Sequence, residues 1–387
     1  MQSEQAHLTD VLGESRAAIE AVYAQLVRPL VPPGQPLWDV HAHLGRDDDG
    51  SRLEPDVLLT EMRAHGVAKA FVVPFAAPTR EAYRRLNDRI IEDCAGTGDA
   101  LVPFCRCEPG DGFGAELERA LDRGARGIKL HPVNSLFDFS HPELRVAFAL
   151  AHERRIPLLL HAGRGLVPLA RDLAALLAEF PGAQAILAHA AIADMARVLE
   201  LAGDLPNLAF DTSVWNALDV HALLAAASPE QILYGTDAPY YSAPCAQAKL
   251  LLALRAAGAS ERDVAEAVWG NAARVAAGQS AERLSPPLGL PRLDLSYPRL
   301  RAHEYLVMAI PLVWRCEPDR VGFVRLAIQA LPEPSRPELD ATRRLLELAE
   351  RCWLEELSTG DRGEILSLSW LTFRLIDLAD ALVLGAA

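Results

Sequence analysis

The stretch that decides the fold is Trp38-Asp39-Val40-His41-Ala42-His43-Leu44-Gly45. It reads as a short apolar β-strand ending in His-x-His. Side chains alternate across a strand, so His41 and His43 project from the same side, two residues apart. Two imidazoles held this way make half of a metal site. Taken alone, the pair reads equally as two polar residues at a strand end. The balance shifts downstream, where single His, Lys and Asp residues recur at the ends of similar apolar runs.

Those strand-like runs cover 37–44, 67–75, 100–107, 127–132, 156–161, 185–189, 208–212 and 232–236. Between them lie amphipathic helical stretches at 54–65, 80–94, 115–123, 142–154, 167–180, 192–202 and 220–226, with further helices at 246–257 and 261–276. Gly66, Gly124 and Gly182 fall at or just past helix ends, where a left-handed residue is expected. Eight strands alternating with eight helices over about 240 residues predict an α/β fold, a (β/α)8 TIM barrel. A doubly wound open sheet is the competitor. The count of eight, and polar residues at the ends of many different strands, favour the barrel, whose strand ends converge on one mouth.

The flanks differ. Residues 8–30 carry apolar positions at helical spacing and stop at Pro29 and Pro32-Pro33-Gly34, which marks residues 1–35 as an N-terminal helical extension. The barrel is expected to span 36–282. Ser285-Pro286-Pro287-Leu288-Gly289-Leu290-Pro291 reads as a linker, and helical runs near 302–314, 318–330, 336–357 and 362–384 make 283–387 a C-terminal all-α module. The last run is strongly apolar but interrupted by Arg374, Asp377 and Asp380, so it is read as a packing or dimerisation helix, and a homodimer is expected.

Composition narrows the function classes. Half of the 387 residues are hydrophobic and 23% charged, ordinary for a globular protein. A net charge of -14 with no basic concentration argues against nucleic-acid or membrane-surface binding. The first thirty residues lack a basic start followed by an apolar run, no apolar stretch reaches a membrane span, and the six cysteines have no framework spacing; Cys105-x-Cys107 has no second pair to complete a metal site. A cytoplasmic protein with reduced thiols is expected.

At the strand ends stand Asp39, His41 and His43, then Arg106, then Lys129 and His131, then His161, His189, Asp211 and Asp237. Five of the eleven histidines thus sit at the mouth; His7, His65, His141, His152, His221 and His303 fall on helices or loops and read as surface or capping residues. Neutral imidazole and carboxylate bind divalent metals such as zinc.

This set resembles the amidohydrolase superfamily, and within it the amidohydrolase-related branch that includes decarboxylases as well as hydrolases. The matching pieces are Asp39-Val40-His41-Ala42-His43, Gly127-Ile128-Lys129-Leu130-His131-Pro132, Leu160-His161-Ala162-Gly163, Leu187-Ala188-His189-Ala190 and Tyr234-Gly235-Thr236-Asp237-Ala238-Pro239. Phe104-Cys105-Arg106 with Pro109, and Trp269-Gly270-Asn271-Ala272-Ala273-Arg274, are weaker echoes. The resemblance covers roughly 36–278 and leaves both flanks unexplained. It implies that His41, His43, His161 and Asp237 ligate one divalent metal, zinc foremost, with manganese, iron or cobalt as alternatives. It implies catalytic roles for Asp237 and His189 at the bound water. Lys129 would be a cation beside a single metal or, carboxylated, a bridge between two, the single metal being preferred. His131 would orient Lys129 or touch substrate. Arg106 and Arg164 are candidates for a substrate carboxylate, because guanidinium matches it bidentately. Asp211 and Trp215 face the same region on weaker grounds.

The expected activity is metal-dependent hydrolysis of an amide, lactone or ester bond in a small, carboxylated molecule. The alternative is non-oxidative decarboxylation by almost the same ligands, with a hydratase a further variant. A non-enzymatic barrel scaffold is the third reading, and the intact ligand set argues against it.

Overall fold

Apolar runs buried on both faces build the centre of the molecule. The computed structural model describes residues 2–213, 216–332, 336–358 and 362–385. Nine strands form one sheet: β1 (Leu37–Arg46), β2 (Arg52–Leu53), β3 (Val67–Pro74), β4 (Leu101–Arg106), β5 (Gly127–Leu130), β6 (Pro157–His161), β7 (Gln184–Ala188), β8 (Leu208–Asp211) and β9 (Ile232–Leu233). Their order is β2-β1-β3-β4-β5-β6-β7-β8-β9. Every pairing is parallel except the short hairpin of β1 with β2. Parallel neighbours need a crossover, and from β2 onward helices such as Pro55–Ala64, Arg80–Ala95 and Phe113–Arg123 supply it. The result is an α/β fold on a curled, mostly parallel sheet.

The two ends of the sheet meet. Val40 N–H donates to the Tyr234 carbonyl (3.0 Å), Asp237 N–H to that of His41 (2.7 Å) and His43 N–H to that of Ala238 (2.7 Å). The last expected strand is accordingly shorter than its apolar run suggests. Only Ile232 and Leu233 ladder with β8; residues 234–238 leave that partner and bond β1 instead. The hairpin strand β2, too short for a periodic signal, has no counterpart in the sequence reading.

A register shift in β1 aims the histidines. Asp39 pairs with Ala70 but Ala42 with Val72, so β1 carries one extra residue between them. Before this bulge Trp38 and Val40 point inward, into a core with Phe71, Phe104, Leu159, Ile186 and Leu233. After it Ala42 and Leu44 join the outer core against the helices, and His41 and His43 turn inward. Asp39 Oδ1 accepts the His41 N–H (3.0 Å), and its carboxylate also takes the Thr236 N–H and hydroxyl (3.0 and 2.6 Å). Asp39 therefore fastens the bulge rather than facing the mouth. Ala272 and Val275, from helix Asn271–Ala276, belong to the same inner core.

The C-terminal region forms helices Tyr297–Trp314, Phe323–Ala330, Pro337–Ser358 and Arg362–Val383. The N-terminal helix Gln2–Val22 is tied to Pro337–Ser358, with Glu14 paired to Arg351 (2.7 Å) and Ser15 Oγ against Cys352 Sγ (3.3 Å). The polar residues that interrupt Arg362–Val383 find partners within the chain: Asp377 pairs with Lys249 (2.7 Å), Asp380 with His303 (2.6 Å), and Arg374 with the Pro239 carbonyl. Of the histidines read as surface or capping residues, His65 caps helix Pro55–Ala64, its Nδ1 bonded to the Glu61 carbonyl and its Nε2 3.1 Å from Glu20, and both it and His221 are buried. All six cysteines are free. Among the described residues no helix is long and apolar enough to cross a membrane.

Candidate active site

At the C-terminal ends of the strands lies a cavity of about 330 Å³. His41, His43, Arg106, Lys129, His131, His161, Arg164, His189 and Asp237 all line it, so the residues singled out in the sequence meet in one place. Trp215 lies outside the described residues. Two glycines make the close packing possible. A Cβ on Gly163 would sit 2.9 Å from His189 Cδ2 and 3.0 Å from His161 Cε1, and one on Gly235 would run into Asp211 Oδ1.

Hydrogen bonding fixes which nitrogen of two imidazoles faces the cavity. His189 Nδ1 lies 2.7 Å from the Ser213 carbonyl, which can only accept, so Nδ1 carries the proton and Nε2 keeps its lone pair. His41 Nδ1 lies 2.9 Å from the Asp211 carboxylate, which likewise assigns the proton to Nδ1. Its Nε2 then accepts from the Lys129 ammonium at 3.0 Å and stands 3.2 Å from Asp237 Oδ1. Asp211 is fully buried and is itself held by the Ser213 N–H (2.8 Å) and hydroxyl (2.6 Å).

Ligand atoms of His41, His189 and Asp237 lie within 4.8 Å of one another, a candidate metal site. His43 Nε2 touches the same Asp237 oxygen at 3.1 Å, its ring stacked on Phe75. His161 lies edge-on to His189, ring centres 4.9 Å apart, and stacks on His131 at 3.9 Å. Burial holds His41, His43, His131 and His161 below the ordinary imidazole range, His161 at about 2. Neighbouring cations add to the effect. Burial opposes the charge on Asp237, but the His43 hydrogen bond and the surrounding His189, His43 and Lys129 keep its pKa below the usual value. Neutral imidazoles with inward lone pairs beside an ionised carboxylate fit a divalent cation. His189 and Asp237 both have left-handed backbone (φ 58° and 59°), strain of about 1 kcal/mol or more each that the surrounding packing must hold.

Two cations complete the wall. Lys129 is fully buried, and burial pushes its pKa down to about 7. Arg106 is 1% exposed; its backbone is clamped by Asn87, which donates to its carbonyl (3.0 Å) and accepts its N–H (2.8 Å). Its Nη1 reaches only the Pro74 carbonyl at 3.5 Å, and its Nε and Nη2 have no hydrogen-bond partner. A guanidinium does not shed its proton, so this is a buried charge with no ion-pair partner among the described residues, facing a cavity that also holds the carboxylates of Asp47, Asp49 and Asp237. Arg164 by contrast is exposed at the rim, its guanidinium over the Trp314 ring.

Sequence reasoning missed several residues that build the site. Ser213 follows Asp211 by two positions, a spacing that would have suggested an Asx turn. Asp47 and Tyr240, hydrogen-bonded to each other, come from loops beside β1 and β9. Trp370, from helix Arg362–Val383, closes one side with its ring 5.5 Å from Tyr240, and no local signal links it to the cavity.

Comparison with known proteins accords with this arrangement. The amidohydrolase family model matches residues 38–275. The chain belongs to the amidohydrolase family. As a family member it is an enzyme, and the match ends before the four C-terminal helices begin. It is similar in structure to a putative amidohydrolase from Staphylococcus aureus (TM-score 0.51, 14% identity, covering 62% of this chain and 99% of that one). It is also similar to IDCase of Metarhizium anisopliae (TM-score 0.50, 13% identity, 63% and 98%). At these identities the likeness shows the fold alone. No curated protein matches the sequence.

Proposed function

We propose that this amidohydrolase-family enzyme is a metal-dependent hydrolase on a (β/α)8 barrel, acting on an amide, lactone or ester bond of a small carboxylated substrate. The observation that carries this reading is the pairing of two inward imidazole lone pairs and Asp237 with the unpaired Arg106 guanidinium in one cavity. His41, His43, His161 and Asp237 would hold the ion, zinc foremost, with His189 beside them. A divalent ion there supplies a Lewis acid and lowers the pKa of a water to ~7. Asp237 and His189 Nε2 would serve as the proton-accepting bases there. Lys129 and Arg106 put two buried cations on the cavity wall, and Arg106 would hold a substrate carboxylate by its free Nε and Nη2 edge.

That edge also supports a second reading, non-oxidative decarboxylation, since it draws a carboxylate into the cavity that holds the metal residues. Two measurements test the proposal. Metal content per chain should be near one in the wild type and fall away in His41→Ala; absence of metal after reconstitution overturns it. With carboxylated lactones, amides and aromatic acids, hydrolysis incorporates oxygen from H₂¹⁸O, whereas CO₂ release without label assigns the decarboxylase.

A further inference from the structure

A second cavity, of about 760 Å³, opens where the β1–β2 hairpin faces helix Arg362–Val383. Arg46 and Arg52 from the hairpin, Arg374 from the helix and Arg16 from the N-terminal helix line it, against two carboxylates, Asp48 and Asp49. Four arginines against two aspartates give this hollow a positive excess, in a chain whose net charge is -14. Asp49 Oδ1 is already engaged by the Ser51 N–H (2.7 Å). Arg374 gives one Nη to the Pro239 carbonyl, while its Nε is buried with no hydrogen-bond partner. A guanidinium stays charged, and enclosing one without an anion is unfavourable until an anion arrives. Trp370 and Asp49 line both this hollow and the active-site cavity, so the two share a wall.

We propose that this second cavity is an anion-binding site that takes the phosphate or carboxylate group of a small organic ligand. Guanidinium forks on three different segments can grip such a group from several sides, each by paired N–H bonds. The site is built by parts of the chain that the family match leaves out, the N-terminal helix and the C-terminal helices, together with the hairpin. It stands on its own geometry and does not depend on the reaction carried out at the metal residues. Because Arg374 holds the carbonyl two residues after Asp237, an anion bound there also bears on the loop that carries the candidate ligand.

The test is calorimetric titration of the full-length protein with inorganic phosphate. Wild type should bind, and Arg46→Gln/Arg52→Gln should weaken binding about tenfold or more, the loss expected for a charged hydrogen bond. Arg46 and Arg52 are exposed, so that variant tests the pocket even where a change at Arg374 impairs folding. No binding to wild type, or equal binding to the double variant, overturns the proposal, and neither result touches the metal assay above. A double-mutant cycle of Arg106→Met with Arg46→Gln/Arg52→Gln, read with linear dicarboxylates, separates the sources. Coupling identifies the charged far end of an active-site ligand; strict additivity identifies a free anion.

Discussion

Asp211→Asn tests the reasoning about the metal residues with one atom changed. Asp211 accepts from His41 Nδ1 (2.9 Å), the Ser213 N–H (2.8 Å) and the Ser213 hydroxyl (2.6 Å), and it is 0% exposed. An asparagine whose oxygen keeps the Ser213 N–H must turn its NH₂ toward two donors, His41 Nδ1–H and the hydroxyl. The flipped amide confronts the Ser213 N–H instead. The relief open to His41 is to move its proton to Nε2, which removes the lone pair from the cavity. Losing one hydrogen bond to a charged acceptor costs about 1.5–3 kcal/mol. Expressed as metal affinity this is about a ten- to hundredfold loss, the scale known for groups that orient metal-bound histidines. Competition with a chromophoric chelator measures it, with circular dichroism to confirm the fold. Asp39→Asn is the control: it loosens the bulge that aims His41 without touching the imidazole, so it should lower melting temperature and cost less metal affinity than Asp211→Asn. A folded Asp211→Asn protein with wild-type metal affinity would refute the tautomer argument.

Two further outcomes follow from charges. Arg106→Met should raise KM for carboxylated substrates about tenfold or more while leaving uncharged analogues alone, since the free Nε and Nη2 edge is what the carboxylate would meet; steady-state kinetics on a matched acid and amide decide it. Burial works against the Glu230 carboxylate, but hydrogen bonds from Ser228 and Ser285 prevail and hold its pKa at about 2, below its ordinary 4.5. A lowered folded pKa means stability present above about 4.5 and lost as pH falls toward 2. Glu230→Gln should therefore unfold at lower urea than wild type at neutral pH, and the gap should close down the acid limb.

How much of this was legible in the chain depends on whether the cause is local. The strands were readable because parallel strands buried on both faces are continuous apolar runs, and β3, β4 and β6 to β8 fall within two residues of their patterns at either end. The polar strand ends were readable for the same reason, as exceptions within those runs. What aims His41 and His43 was not, because the bulge in β1 arises from pairing with β3, and a one-residue shift leaves no mark in composition. The capping place of His65 was legible but its burial was not, because Tyr23 and the Glu20 carboxylate that cover it come from more than forty residues earlier. Trp370 and Arg374 were out of reach for the same cause: their place at the mouth depends on how one helix docks more than a hundred residues later.

That docking rests on a buried pair whose removal has a calculable effect. Asp377 lies on the same helix as Trp370 and Arg374, one turn beyond Arg374, so whatever fixes Asp377 fixes the register that sets Trp370 beside Tyr240. Its carboxylate is 2.7 Å from Lys249 Nζ and also takes the Tyr241 hydroxyl, with both members of the pair almost fully buried. Removing one partner of a buried pair costs about 3–5 kcal/mol, because the other charge is left without compensation. Here the lower end applies. Burial already pushes the Lys249 amine down to about 7, so with Asp377 gone Lys249 can shed its proton and lie neutral over the Tyr241 ring, 4.4 Å away. Asp377→Ala should thus lose about 3 kcal/mol in urea unfolding, whereas Lys249→Met/Asp377→Leu, which removes both charges together, should recover most of it. Trp370 fluorescence should follow the same order, altered in the single variant and restored in the double, since it reports the register and not merely the stability. An Asp377→Ala protein as stable as wild type would show that apolar packing alone seats the helix, and the pair would then have no part in placing Trp370 at the cavity.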